Sequence, residues 1–215
     1  MASQIFAQPP SKFKMRFDLS PENWQQGSLL ALALIMAVAL VTDIRRNRIP
    51  NALVLMALCV GLLVNLVGPD VGIRSAGLFT YSPGALGLKR SLLGVLTGFA
   101  VFMPHYLMRA MGAGDVKLMA AIGSFVGAAD MLNVALSVMI MGGVLAVCRM
   151  VWAGNSRQVL QNVYVILLST FFASGVPFDP ATQSADKMPF AIAIAVGLLA
   201  YGGWIYTDHM PVIYF

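Results

Sequence analysis

Two aspartates, Asp43 and Asp115, stand at the edges of strongly apolar segments, where a membrane protein ordinarily excludes a carboxylate. Asp43 ends the first apolar run and is followed by Ile44-Arg45-Arg46-Asn47-Arg48-Ile49-Pro50-Asn51. Asp115 closes the turn Gly112-Ala113-Gly114-Asp115 and is followed by Val116-Lys117-Leu118. Like charges a few Å apart cannot both ionise, so two carboxylates brought together share one proton. The ionised member takes a proton from water, that water attacks a peptide carbonyl, the protonated member stabilises the oxyanion, and proton return to the amine completes cleavage. Titration then belongs to the pair rather than to either acid. The residue types suggest aspartic-protease chemistry, provided the fold carries both acids to one place.

Each acid also has a structural explanation. Asp115 suits the N-cap of a helix expected to begin at Val116, with its charge at the positive end of the backbone dipole. Length argues against capping alone: from Val116 to Asp130 there are about 14 residues, or roughly 21 Å, against a hydrocarbon core of about 30 Å. If Asp130 reaches the far interface, Asp115 lies beneath the near one, a depth at which acids usually face water or a functional path. Asp43 sits at the negative pole of its own helix, which is locally unfavourable, and Arg46 at i+3 is the structural alternative that would neutralise it. Lys117 is expected to snorkel to headgroups or to support the Asp115 turn rather than to react. His105 reads as a packed or membrane-facing side chain, and His209 has no partner spacing.

The elements that must position these acids are membrane helices. The chain has 215 residues, of which 59% are hydrophobic and 11% charged, and its mean hydropathy is +0.79, too apolar for a soluble domain of this size. The net charge of +5 lies mostly in connections, where it sets orientation rather than indicating nucleic acid. Cys59 and Cys148 stand singly without Cys-x-x-Cys spacing, which argues against a disulfide framework or zinc site and leaves small packing residues. The first run is read as an uncleaved helix, because Arg45, Arg46 and Arg48 follow it directly and oppose translocation.

Apolar runs of helix length occur at about 28–42, 51–67, 91–108, 116–129, 131–152 and 190–206. They predict an all-α, polytopic transmembrane bundle of six spans, since backbone polar groups must pair internally in lipid and the period-two pattern of membrane strands is missing. The stretch 158–173 is expected to lie at the interface, with a seventh span as the alternative. Pro50 and Asn51 suit the first turn and cap region of the second span, and Gly112 and Gly114 a tight turn before the fourth. Gly94 with Gly98, and Gly123 with Gly127, are small-residue pairs that let helices approach closely. The arginines at 45, 46 and 48 place the first connection in the cytoplasm, and two spans later the Asp115 turn returns to that face. Residues 1–27 form an N-terminal extension, 28–207 the membrane domain and 208–215 a tail. Trp24, Trp152, Trp204 and Tyr206 are expected at headgroup level.

With these residues quoted, the sequence resembles the type IV prepilin peptidase family of Gly-x-Gly-Asp membrane aspartic proteases. Asp43 with Ile49-Pro50-Asn51 and Gly112-Ala113-Gly114-Asp115-Val116-Lys117-Leu118 carry the resemblance, and Lys187-Met188-Pro189-Phe190-Ala191 more loosely matches the start of the family's final span. The resemblance implies that Asp43 and Asp115 are the catalytic pair, supported by Gly112, Gly114, Lys117, Pro50 and Asn51. It further implies removal of short basic leaders from prepilins or pseudopilins at the cytoplasmic face of the bacterial inner membrane, without cofactor or metal. Larger relatives add paired Cys-x-x-Cys motifs and methylate the new amino terminus. This chain has no such motif and resembles the short, peptidase-only branch of tight-adherence (Flp) pili. Archaeal preflagellin peptidases share its motifs, whereas the Pro-Ala-Leu signature of presenilin-like relatives is missing.

The partners expected are therefore a prepilin and membrane lipid, not nucleic acid. Two other classes compete. A proton-coupled transporter or channel would place acids at the bilayer midplane within repeated, discontinuous helices, and a non-catalytic subunit of a secretion assembly would function without either acid.

Overall fold

The computed structural model describes residues 20–69, 77–79, 83–108, 111–152 and 190–206. Among them are five helices, α1 (Pro21–Arg46), α2 (Asn51–Val67), α3 (Gly87–Leu107), α4 (Ala113–Trp152) and α5 (Ala191–Tyr206). No strand forms among the described residues, where the one extended pairing is an isolated bridge between Gly77 and Pro83. The all-α expectation therefore holds. Helices α1 and α4 contain stretches long and apolar enough to cross a membrane, and α2 and α5 are shorter apolar helices.

The first helix is longer at both ends than the apolar run suggested. Ser20 caps it, its Oγ accepting the Asn23 N–H at 3.3 Å, and Pro21 takes the first turn, where a missing N–H is harmless. This extra turn corrects the expectation for Trp24. Its ring is buried rather than facing outward, and Nε1 donates to the Val64 carbonyl at 3.0 Å, tying the start of α1 to the end of α2. The cysteines are also corrected: Cys59 and Cys148 are exposed on the outer faces of their helices rather than packed within the bundle.

The expected fourth and fifth spans form one element, α4, broken at Gly127, whose backbone (φ 81, ψ 175) lies where essentially only glycine is found. A methyl group placed on Gly98 of α3 would lie 2.6 Å from the Met119 carbonyl oxygen and 3.1 Å from Met131 Cε. A straight helix would separate positions 119 and 131 by about 18 Å. Helix α4 therefore turns back at Gly127, and its two halves both reach α3. The turn is closely covered, since a Cβ on Gly127 would meet Leu86 Cδ1 at 3.0 Å. Gly127→Ala is expected to lose about 1–3 kcal/mol of stability, whereas Gly143→Ala, at a helical site with nothing within 4 Å, should be neutral or slightly stabilising. Thermal unfolding of both variants in detergent checks the contrast.

The small-residue pairs do the packing assigned to them. Gly94 and Gly98 lie backbone to backbone against Gly123 and Met119, so α3 and the first half of α4 run antiparallel at close range. Asn65, buried at 1% exposure, ties three helices: Nδ2 donates to the Ser124 carbonyl at 2.8 Å and Oδ1 accepts the Leu86 N–H at 3.0 Å. Along the second half of α4, Ser137 donates to the Gly197 carbonyl at 2.8 Å and Gly142 faces Phe190 and Ala193, so α5 runs antiparallel to it. The C-terminus of α1, the N-termini of α2, α4 and α5 and the C-terminus of α3 thus share one end of the bundle. The stretch 158–173, His209 and the charges at 12, 14, 16 and 74 lie outside the described residues.

Candidate functional site

Asp43 lies on the last full turn of α1, which stops where Asn47 adopts a left-handed conformation (φ 48) and returns its N–H to the Asp43 carbonyl at 2.7 Å. The chain then runs through Arg48-Ile49-Pro50 into α2, whose first turn is fixed by the Pro50 carbonyl accepting from Leu53 and Val54 at 3.1 and 3.3 Å. Pro50 therefore stands at the cap position and Asn51 is the first helical residue, as the sequence suggested.

The Asp43 side chain resolves its unfavourable position by leaving its own helix. It is only 6% exposed, and Oδ2 accepts the Ala191 N–H at 3.1 Å. Ala191 is the first residue of α5, so the carboxylate meets an otherwise orphaned donor at the positive end of another helix. Arg46, proposed above as its neutralising partner, is exposed instead.

Asp115 is not the N-cap that the sequence suggested, because α4 begins at Ala113 and places it inside the first turn. The turn starts at Gly112, whose carbonyl accepts from the N–H groups of Asp115 and Val116 at 3.2 and 3.4 Å. The Asp115 carboxylate folds back over Gly112, where an added Cβ would lie 3.1 Å from its Oδ2, and the start of α4 packs against Ile49 in the connection that follows Asp43. Asp43 thus receives a backbone N–H at the start of α5, and Asp115 stands in the first turn of α4 at the same end of the bundle.

The two glycines of the turn serve close approach. Neither has a positive φ. A Cβ on Gly112 would lie 3.1 Å from Asp115 Oδ2, and one on Gly114 would lie 3.3 Å from Ile49 Cβ. Glycine at 112 leaves space for the carboxylate, and glycine at 114 lets the α1–α2 connection rest against α4. Lys117 completes that seam, its Nζ donating to Asn51 Oδ1 at 3.2 Å. The structure therefore brings together Asp43, Pro50, Asn51, Gly112, Gly114, Asp115 and Lys117, drawn from positions 72 residues apart between the two acids.

Sequence reasoning missed the Ala191 N–H, although the loose match at Lys187-Met188-Pro189-Phe190-Ala191 pointed to the right segment. It also passed over Asn65, whose amide is the polar residue within the apolar run of α2. Among the described residues no cluster of metal-ligating side chains occurs. His105 Nδ1 lies 3.3 Å from the Val101 carbonyl of its own helix, and its ring tilts against Phe102.

A third acid, Asp130, lies at the opposite end of the bundle and is held by the Tyr201 hydroxyl at 3.1 Å. It is outside the acid pair and joins α4 to α5. Tyr201→Phe should therefore lower stability by about 0.5–1.5 kcal/mol, the net worth of a hydrogen bond to a partly buried group. Any enzymatic activity should be unchanged per folded molecule, as thermal unfolding and a specific-activity assay together would show.

A family model described as the type IV leader peptidase family matches residues 30–147, a range that includes both acids. Among curated proteins, the chain is 28% identical to a prepilin leader peptidase/N-methyltransferase of Pectobacterium carotovorum subsp. carotovorum, over 61% of this chain and 43% of that protein. It is 30% identical to a protein of the same name in Stutzerimonas stutzeri, over 49% and 34%, and 31% identical to one in Klebsiella pneumoniae, over 47% and 40%. The matched region spans less than half the length of each relative. No solved structure matches the chain.

Proposed function

The chain belongs to the type IV leader peptidase family, and from that premise we propose that it is an aspartic endopeptidase that removes short basic leaders from type IV prepilins. The observation that supports this most is the convergence of the end of α1, which carries Asp43, with the first turn of α4, which carries Asp115, where Gly114 rests against Ile49. Nothing in the packing of an apolar bundle calls for two acids at one end, and a backbone N–H is in place for the Asp43 carboxylate.

In the proposed reaction the two acids share one proton. The pair accepts a proton from a bound water as its oxygen attacks the scissile carbonyl, and the remaining acidic proton stabilises the oxyanion. Collapse of the tetrahedral species breaks the C–N bond, with the pair returning a proton to the departing amine. Neither metal nor cofactor enters this sequence. Ala191 orients the Asp43 carboxyl, Gly112 leaves room for that of Asp115, and the Ile49 contact at Gly114 sets the spacing between α1 and α4.

The substrate we propose is a prepilin of the tight-adherence (Flp) kind, its leader in the cytosol and its apolar helix in the bilayer. The exposed Arg45, Arg46 and Arg48 lie at the same end as the acids, which supports a cytoplasmic placement by the distribution of basic residues. Six passes through the bacterial inner membrane would follow if each half of α4 crosses once.

The curated relatives carry a methyltransferase name, but we propose cleavage without methylation here, because Cys59 and Cys148 do not form paired Cys-x-x-Cys motifs. Purified protein incubated with a prepilin and S-adenosylmethionine is expected to yield a shortened, unmethylated product by mass spectrometry. An uncut prepilin would defeat the peptidase assignment, and a methylated product would defeat the narrower one.

A further inference from the structure

A groove of about 380 Å³ runs along the outside of the bundle between α2, α3 and the first half of α4. Its walls are apolar, with Leu55 and Leu58 on α2, Val95 and Phe99 on α3, and Ala121 beneath. One end is polar and is formed by Asn51 and Lys117. Lys117 is two residues beyond Asp115, or about 200° around the helix, so the groove lies on the other face of α4 from the acid pair. A peptide bond lying in this groove would therefore be out of reach of the two carboxylates.

The chemistry of the walls indicates what fits. Leu55 and Phe99 are 61% and 41% exposed, and in a membrane protein that exposure is to lipid. From Asn51 to Leu58 the trough runs about 10 Å along α2. A single extended hydrocarbon chain can lie along a trough of that length. At the mouth, Lys117 Nζ is bonded to the neutral amide oxygen of Asn51 at 3.2 Å, a partner that leaves its charge uncompensated and two ammonium N–H groups to donate. Arg45, Arg46 and Arg48 are exposed at the same end of the bundle. Cation above and hydrocarbon below match an anionic amphiphile.

We propose that this groove binds one anionic phospholipid, its phosphate on Lys117 Nζ and Asn51 Nδ2 and one acyl chain against Leu55, Leu58, Val95 and Phe99. The site shares Lys117 and Asn51 with the seam beside the acids but lies on the other face of α4, and its test does not use leader removal as a readout. The full chain, purified in neutral detergent, is exposed to phosphatidylglycerol, phosphatidylcholine or glycerol phosphate and examined by native mass spectrometry. Wild-type protein should retain phosphatidylglycerol about fivefold more strongly than phosphatidylcholine. Lys117→Gln should erase that preference, Lys117→Arg should keep it, and Val95→Trp, which fills the trough, should weaken retention of both lipids.

Equal retention of the two lipids by wild type would overturn the proposal. So would a preference that survives Lys117→Gln, which would assign it to the arginine rim, or displacement by glycerol phosphate at the concentration at which phosphatidylglycerol itself competes, which would reduce the site to a phosphate contact. Dimer masses in place of lipid adducts would make a second copy the occupant and defeat it equally. Circular dichroism and elution volume check folding; should Lys117→Gln misfold, the Lys117→Arg and Val95→Trp comparison decides.

Discussion

Asp43→Asn and Asp115→Asn are each expected to abolish leader removal, lowering the rate by at least about 10²–10⁴-fold, the usual contribution of general acid–base catalysis. Asparagine preserves the shape of the side chain and one acceptor oxygen, so the Ala191 N–H that bonds Asp43 keeps a partner. The fold should therefore survive. Asp43→Ala, in contrast, orphans that buried N–H and should also lose about 1–3 kcal/mol of stability. Asp43→Glu retains the charge but moves it by one methylene, and a misplacement of that size can cost about 10²-fold. Co-expression with a prepilin, read by gel mobility, and thermal unfolding of the purified variants separate catalysis from folding. Full cleavage by either asparagine variant would reject the two-acid mechanism.

Gly114→Val should produce the second largest loss, about 10²-fold in cleavage rate, although residue 114 carries no reactive group. Its Cβ would stand 3.3 Å from Ile49 Cβ, and the branching methyls need more space still. Helix α4 must then move away from the α1–α2 connection, carrying Asp115 away from Asp43. Overpacking of this kind typically costs about 1–3 kcal/mol in stability, too little to unfold the protein. Ile49→Ala removes the opposing side chain, so the double variant Ile49→Ala/Gly114→Val should recover activity relative to Gly114→Val alone. A coupling energy of about 0.5–3 kcal/mol between the two positions is expected. If Gly114→Val cleaves at the wild-type rate, the 49–114 contact does not set the spacing of the acids.

Both experiments address the same arrangement, in which carboxylates from distant parts of the chain meet where helix N-termini converge. The resulting site has its charged groups compensated by backbone dipoles at α4 and α5. Arg46, the sequence neighbour able to form an i+3 pair with Asp43, remains available at the exposed rim.

The sequence by itself determined the helical class, because a chain this apolar must pair its backbone groups within each segment. It also singled out Asp43 and Asp115 as candidate acids together with the residues around them, because Asp in an apolar setting and Gly-x-Gly-Asp beside Ile-Pro-Asn are local features. The close approach of α3 and α4 was legible too, in glycines spaced one helical turn apart. Tertiary structure alone decided that α4 reverses at Gly127, that Trp24 ties α1 to α2, and that Asp115 sits inside its helix rather than capping it. It alone supplied Ala191 as the partner of Asp43 across 148 positions of sequence. The division has one physical cause: hydropathy and turn chemistry act over a few neighbouring residues, whereas a backbone N–H carries no side-chain signature and finds its acceptor only when separate helices have packed.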